Sequence, residues 1–336
     1  YTVAMLMAEY LRHARTYYGT GKHSEWHRIK LAIRPLRQLY ANCSASEFGP
    51  DRFKVVREAM LKSGLTRQGI NSRMKRITRM FKWAAGEGKI PASVFDTLRL
   101  IPGLKAGRTA ASESEPVRPV DQSVVEATLP HLPPIVADMV RVQLLTGCRP
   151  GELCKLTPGN IDRSGEIWEA EILEHKTRHH GHDRTIYIGP QAQAILMSYL
   201  ERDEDCCLFR PCDVVLARRR RDAMRRKTPL SCGNRPGKRS GGLKGGKAKK
   251  SAGTEYTPDS YRQAIHNACD KTFLPPPPLA RQEGESDAAR NRRLSDAERT
   301  QLAKWQSQHR WSPNRLRHSR GTDVRKQFGL EAAQVV

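Results

Sequence analysis

Acidic residues, aromatic residues and long apolar runs are all scarce in this sequence of 336 residues. Asp and Glu total 35 against 59 Lys and Arg, and the resulting formal charge of +24 predicts a polyanionic partner, with nucleic acid ahead of a membrane surface. No apolar run approaches the ~20 residues of a membrane span, and no basic segment precedes the first apolar residues. We therefore expect a cytoplasmic protein without a membrane segment.

A cysteine framework is also absent, because none of the eight cysteines forms a Cys-x-x-Cys pair. Reduced thiols are therefore favoured over disulfides. Several residues between positions 206 and 269 have the chemistry of zinc ligands, namely Cys206, Cys207, Cys212, Cys232, His266 and Cys269. Without a paired framework we expect no metal site and no other cofactor.

The length allows about two domains, since ~100–200 residues per domain is usual. Over residues 1–104 the apolar residues recur at helical spacing in four stretches, which predicts a bundle of amphipathic helices. Residues 105–118 are polar and form an expected linker. A second domain is expected over residues 119–336, with a basic insertion at about 214–257.

Basic residues occupy the helix faces opposite the apolar stripes of the first domain, among them Arg73, Lys75 and Arg76. Contacts to the phosphate backbone of a nucleic acid are one interpretation of this pattern. Ordinary solvated helix faces are the other, and the sequence favours neither.

The second domain contains an arginine at a predicted helix start. An apolar run ends at Thr146-Gly147, and Pro150 suits the first position of a new helix, where its missing N–H costs nothing. Arg149 then precedes that helix, so its guanidinium and the free N–H groups of the first turn can face one anion. Glu152 can pair with Arg149 and orient it. A surface arginine with a capping glutamate has the same pattern.

After Glu152 the apolar period changes from helical to alternating. Residues 166–173 and 184–188 therefore predict two strands of a hairpin. Lys176 lies at the predicted hairpin tip, where an ammonium can act as a proton donor or phosphate ligand. Arg178 lies in the same histidine-rich tip, which is compatible with a metal-binding tract or with a basic loop that faces DNA.

The basic insertion carries much of the charge of the chain. From Arg218 to Lys250 there are fourteen Lys and Arg residues and one acid, a net +13 of the total +24. Its beginning, 214–227, contains Arg218, Arg219, Arg220 and Arg221 and predicts a basic helix that contacts DNA. The half after Ser231 is rich in Gly and Lys and is expected to be disordered or ordered by DNA. A nuclear-localisation or RNA-binding tail is the alternative, although such tails normally lie at a terminus.

A second candidate anion site follows near the end of the chain. Ser312 and Pro313 have the pattern of an N-cap and first helical residue. Asn314 and Arg317, three residues apart, then share one helix face and can point at the same anion. His318 is adjacent to them.

Three motifs in this order resemble those of the tyrosine recombinase (phage integrase) family: Thr146-Gly147-x-Arg149-x-x-Glu152-Leu153, a lysine in a hairpin, and Leu316-Arg317-His318-x-x-x-Thr322. The resemblance covers about 116–336 as the catalytic domain, and residues 1–104 match the position of the core-binding domain. It implies a mainly α fold with a small β-hairpin or sheet. In such a fold a helical core-binding domain and a mixed α/β DNA breaking-rejoining catalytic domain form a C-shaped clamp around duplex DNA.

The resemblance also implies residue roles. Arg149 and Arg317 are expected to clamp the scissile phosphate, with Glu152 orienting the first arginine, and Lys176 to protonate the departing 5′ oxygen. Such a clamp stabilises charge that develops on the phosphoryl oxygens during in-line displacement. The implied partner is double-stranded DNA, bound by a homo-oligomer in the nucleoid, and the implied activity is DNA integration or recombination of a mobile element without a cofactor.

Two departures from the family pattern affect this expectation. Asn314 stands where the family usually has His. An amide donates a hydrogen bond but does not shuttle a proton near pH 7. His318 is a weak substitute for that histidine. The nine tyrosines all precede Arg317, whereas the nucleophile of the family would fall after Val336. We therefore expect a C-terminally truncated recombinase that binds DNA without cutting it.

The alternative is a non-catalytic DNA-binding or architectural protein that keeps the fold, and Asn314 is its main support. A type IB topoisomerase shares the phosphotyrosyl chemistry, but the short motifs and the separate helical domain favour a recombinase.

Overall fold

The computed structural model describes residues 1–21, 24–172, 184–227 and 251–335. The chain forms two compact units, Tyr1–Pro116 and Val117–Val336. Both are largely helical, and one small antiparallel sheet lies in the second, so the expected mainly α fold is confirmed. Lys176, Arg178 and the later part of the basic insertion (228–250) lie outside the described residues.

The first unit is a helical bundle. Its helices are α1 (Val3–Tyr18), α2 (Glu25–Tyr40), α3 (Pro50–Lys62), α4 (Arg67–Gly86) and α5 (Ala92–Arg99). Thr2, Ser24 and Thr66 cap α1, α2 and α4 by accepting a hydrogen bond from a backbone N–H of the first turn. The four predicted helices are confirmed. The fifth, α5, has eight residues, too few for a repeating apolar period to identify it.

Much of the expected linker belongs to the first unit. The backbone N–H of Arg67 donates to the Ser112 carbonyl at 2.9 Å, and the Arg67 guanidinium pairs with Glu113. Ala111 also packs against the apolar core of the bundle. These contacts place residues 105–116 with the bundle, so the boundary between the units follows Pro116.

The second unit is built around α7, whose residues are apolar on nearly every face. Val136, Met139, Val140 and Val142 are buried there, and α9, α11 and α14 pack around them. The helices of this unit are α6 (Gln122–Thr128), α7 (Pro134–Thr146), α8 (Pro150–Cys154), α9 (Pro190–Leu196), α10 (Pro211–Met224), α11 (Pro258–Thr272), α12 (Asp287–Arg293), α13 (Asp296–His309) and α14 (Pro313–Val335).

The sheet confirms the predicted hairpin and adds a strand to it. Its strands are β1 (Ile161–Asp162), β2 (Trp168–Glu171) and β3 (Thr185–Ile188), in the order β1-β2-β3 with both pairs antiparallel. Ala170 lies opposite Ile186, and both are buried against α7 and its neighbours. The two-residue strand β1 has no alternating pattern by which the sequence could reveal it.

The segment between α11 and α14 has a small apolar cluster of its own, Leu279, Leu294 and Leu302. Ser295 caps α13 and forms a capping box with Glu298, and the seven-residue helix α12 ends just before it. Across the described ranges no helix is long and apolar enough to cross a membrane, and no cluster of three potential metal ligands occurs.

Candidate functional site

The turn between α7 and α8 positions the first candidate arginine. Gly147 ends α7 in the left-handed conformation, with φ 68° and ψ 11°, and its N–H donates to the Gln143 carbonyl at 2.9 Å. Pro150 is the first residue of α8, and Arg149 precedes it in extended conformation. The predicted placement of Arg149 at a helix start is confirmed.

A single carboxylate holds both the backbone and the side chain of Arg149. Glu152 Oε2 accepts a hydrogen bond from the Arg149 backbone N–H at 2.8 Å, and Oε1 accepts one from Nη1 at 2.7 Å. The Glu152 side chain is 6% exposed, whereas that of Arg149 is 48% exposed. The buried Glu152 carboxylate therefore fixes the orientation of the Arg149 guanidinium, which keeps further N–H donors facing solvent.

Arg184 is a third residue of this group, and no motif in the sequence marks it. It directly precedes β3, and its Nε lies 3.5 Å from Glu152 Oε1. Its carbonyl accepts a hydrogen bond from the Ile172 N–H at 2.9 Å, which fixes its backbone to the strand before it. The alternating pattern of residues 184–188 shows only a strand, and nothing in that pattern pairs Arg184 with a glutamate 32 positions earlier.

Arg317 lies on α14 and reaches the same turn from the other side. Its Nη1 donates to the Gly147 carbonyl at 2.7 Å. Burial lowers the pKa of Arg317, and the positive charges of Arg184 and Arg149 lower it further. The two predicted arginines and Arg184 are therefore close enough to repel one another, and a bound anion would offset that repulsion.

Two buried polar side chains support the turn from beneath. Gln143 Nε2 donates to the Cys148 carbonyl at 3.1 Å, and the hydroxyl of Tyr261 on α11 donates to Gln143 Oε1 at 3.1 Å. Gln143 and Tyr261 are fully buried. Cys148 is buried as well, which raises the pKa of its thiol to about 12. The turn that presents Arg149 is therefore fixed by hydrogen bonds within the core.

Asn314 and His318 occupy different environments. Asn314 is exposed in the first turn of α14 and lines an open cleft of about 500 Å³ together with Arg149, Lys155 and Arg262. His318 directly follows Arg317, and its side chain is exposed. Asn314 and Arg149 therefore face the same cleft. The roles assigned to Lys176 and Arg178 stay predictions, because those residues lie outside the described part of the chain.

One of the expected DNA contacts in the first unit has an internal partner instead. Arg76 forms a bidentate pair with Glu25, with Nε and Nη2 at 2.9 and 3.0 Å from the carboxylate oxygens, and its side chain is 18% exposed. This pair ties α4 to α2. Arg73 is half-buried, and burial lowers its pKa. Lys75 is exposed and remains available for a phosphate contact.

The predicted basic helix corresponds to α10, which begins at Pro211 rather than 214. Asp213 anchors its first turn by accepting hydrogen bonds from Arg202 at 2.7 Å and from Arg210 at 3.0 Å. Arg218, Arg219, Arg220 and Arg221 are all exposed. The anchored start and the exposed arginines make α10 a basic surface of the second unit.

Comparison with known proteins found similarity in structure alone. No family model and no curated protein matches the sequence. A structure of Tn1549 transposon integrase in complex with transposon right end DNA has a TM-score of 0.56 and 15% identity, covering 100% of this chain and 91% of that one. Another, with a circular intermediate DNA, has a TM-score of 0.55, 15% identity and the same coverage. A structure of lambda integrase bound to DNA has a TM-score of 0.52 and 12% identity, covering 99% of this chain and 90% of that one.

Proposed function

This chain has the tyrosine recombinase (phage integrase) fold, and from that premise we propose that it binds duplex DNA and holds one phosphodiester between Arg149 and Arg317. The observation that carries this proposal is the convergence of both arginines on the turn at Gly147. A guanidinium presents paired N–H donors that match two phosphoryl oxygens, and two such groups can neutralise the charge that builds up during phosphoryl transfer.

Supporting residues surround the two arginines. Glu152 positions Arg149, and Asn314 can donate a hydrogen bond to a phosphate oxygen from the neighbouring cleft. We assign Lys176 the role of proton donor to the departing 5′ oxygen, as the family resemblance implies. In the complete reaction a tyrosine oxygen attacks phosphorus, a 3′-phosphotyrosyl bond forms and the 5′ oxygen leaves with the proton from the lysine. Attack by a 5′ hydroxyl then reverses these steps and rejoins the strands.

The nucleophile of this reaction is not among the nine tyrosines of the sequence. Tyr261 is fully buried, and every tyrosine precedes Arg317. We therefore propose that residues 1–336 bind and orient the phosphate without forming a covalent adduct. Site-specific recombination requires, in addition, a tyrosine oxygen placed in line with this phosphate.

Binding to a fluorescein-labelled duplex, followed by anisotropy, tests the proposal. Arg149→Ala and Arg317→Ala each remove a charged hydrogen-bond donor and should weaken binding by about 1.5–3 kcal/mol, or roughly 10- to 150-fold in Kd. Arg325→Ala is the matched control, since Arg325 is exposed on the same helix as Arg317. Equal affinities for all three variants would contradict the phosphate clamp.

A non-catalytic DNA-binding or architectural protein is the second candidate, favoured by Asn314 in place of a proton-shuttling His. Both candidates bind DNA, so the coding sequence after Val336 distinguishes them. A His or Trp followed shortly by Tyr supports the recombinase, and a stop codon directly after Val336 supports the architectural protein.

A further inference from the structure

A small cavity lies on the other side of the turn that holds Arg149. Its volume is about 130 Å³, and its polar lining comes from Thr146 of the turn, from Arg184, Thr185 and Tyr187 at β3, and from Arg320 of α14. Since a water molecule takes up ~30 Å³ in the liquid, the cavity has room for about four waters, and hence for a phosphate group. No carboxylate belongs to this lining in the part of the chain that the structure describes.

Arg320 lies three residues after Arg317 and on the same face of α14. Its Nε is buried and has no hydrogen-bond partner, and its guanidinium forms no ion pair with the part of the chain that the structure describes. Arg315 on the same helix is different, because its guanidinium donates to the carbonyls of Arg118 and Pro119 at 2.9 Å. A buried donor without a partner is rare in proteins and calls for a ligand or solvent.

Within the described ranges, guanidinium groups outnumber carboxylates around the turn. The four guanidiniums of Arg149, Arg184, Arg317 and Arg320 lie around the turn and the cavity, and the Glu152 carboxylate contacts the first two of them. The excess of these five groups is therefore +3. Glu169 and Glu171 lie at exposed positions of the central strand β2, and among the residues that the structure describes neither forms an ion pair with these arginines. Such an excess of like charge favours a bound polyanion over a single ion.

We propose that this cavity is a second phosphate subsite, in which Arg184 and Arg320 hold a phosphate adjacent, on the same DNA strand, to the one held by Arg149 and Arg317. The proposal rests on the function proposed above and deepens it. Both subsites share the turn formed by residues 146–148. Thr146 and Cys148 line the cavity, and the Gly147 carbonyl accepts a hydrogen bond from Arg317. A strand that follows the turn would thus be held at two successive phosphates, which fixes its direction as well as its position.

The salt dependence of duplex binding tests this subsite. The logarithm of affinity falls with the logarithm of salt concentration by about 0.9 for each phosphate that a protein neutralises. Arg320→Ala should therefore reduce that slope by roughly 0.9 and weaken binding at low salt. Arg320→Lys should keep the slope of the unmodified protein, because the charge remains. Arg325→Ala, which removes an exposed charge from the same helix, should leave the slope unchanged.

The outcomes separate the subsite from the proposed function. A slope for Arg320→Ala equal to that of Arg325→Ala overturns the subsite, while losses in Arg149→Ala and Arg317→Ala would still support DNA binding at the turn. Unchanged binding in all these variants overturns both. Arg320→Met fills the same volume without charge, so it provides the same measurement if Arg320→Ala fails to fold by circular dichroism.

Discussion

Arg317 donates a hydrogen bond to the carbonyl of Gly147, a residue 170 positions earlier in the chain. That carbonyl belongs to the end of α7, where unpaired carbonyl groups carry partial negative charge and attract a cation. The same turn presents Arg149 at the start of α8. One short segment therefore sets the positions of both arginines.

Gly147→Ala should disturb this arrangement. Gly147 has a φ of 68°, and a side chain in that conformation costs about 1–2 kcal/mol. We expect a loss of that size in the free energy of unfolding measured with urea, together with weaker DNA binding, because the carbonyl that receives Arg317 shifts. Gly21→Ala is a suitable control, since a Cβ there meets no atom within 4 Å and φ is not positive. Identical effects of the two variants would contradict the role of Gly147.

Glu152→Gln should destabilise the second unit. The buried carboxylate contacts Arg149 at 2.7 Å and Arg184 at 3.5 Å, and its loss leaves two guanidiniums without their shared counter-charge. Breaking a buried pair costs several kcal/mol, and the half-exposed position of Arg149 reduces this to about 2–3 kcal/mol. Urea unfolding measures the change. Glu169→Gln, at an exposed position of β2, should alter stability by less than about 0.5 kcal/mol.

Tyr261→Phe should weaken the core beneath the turn. It removes the hydroxyl that donates to Gln143 Oε1 and leaves a buried acceptor without its partner, at a cost of about 1–2 kcal/mol. Tyr187→Phe offers the matched comparison, since Tyr187 is 52% exposed and its hydroxyl can bond to water. The prediction fails if the two substitutions change the urea midpoint equally.

The buried thiol of Cys148 predicts a pH effect. Burial raises its pKa from 9.0 to about 12, so the unfolded chain releases this proton at lower pH than the folded one. The stabilising contribution of the neutral thiol is complete below pH 9 and is lost as pH rises toward 12, by about 1.4 kcal/mol per pH unit. Unfolding free energies of the unmodified protein should therefore fall faster above pH 9 than those of Cys148→Ala. A difference between the two proteins that does not change with pH would contradict this.

The sequence predicts those parts of the fold that depend on local pattern. The helical period, the hairpin alternation and the Pro150 and Pro313 helix starts all appear at the expected places. The family motifs also pointed to Arg149 and Arg317, which meet at one turn. Each of these features is encoded within a few consecutive residues.

Features that depend on distant contacts could not be predicted in the same way. Arg184 joins the site because β3 carries it to Glu152, and Arg76 is withdrawn from the surface because α2 brings Glu25 to it. The two-residue strand β1 forms only as a partner for β2. In each case the sequence shows a charged or ordinary residue, and tertiary structure decides what it contacts.

The helix α10 carries four exposed arginines, and its first turn is fixed by an acid. Asp213 anchors the helix by accepting hydrogen bonds from Arg210 and Arg202. Burial alone would raise the pKa of the Asp213 carboxyl, but these hydrogen bonds outweigh burial, so the pKa is lowered. No residue of α10 is buried, so the turns that follow this anchor lie at the surface of the unit. A basic helix held in this way can follow a DNA backbone without reading bases.

Arg218 and Arg221 share one face of α10, so the double change Arg218→Gln and Arg221→Gln removes two charges from one surface. If both contact phosphates, the slope of log affinity against log salt should fall by about 1.8, or roughly 0.9 for each contact. The double change Arg325→Gln and Lys326→Gln removes the same charge from α14 and serves as the control. A common, smaller fall in both proteins would show that net charge alone acts on DNA. A fall confined to the α10 variant means that this helix lies against the backbone, because only groups that displace counterions from phosphates change the slope.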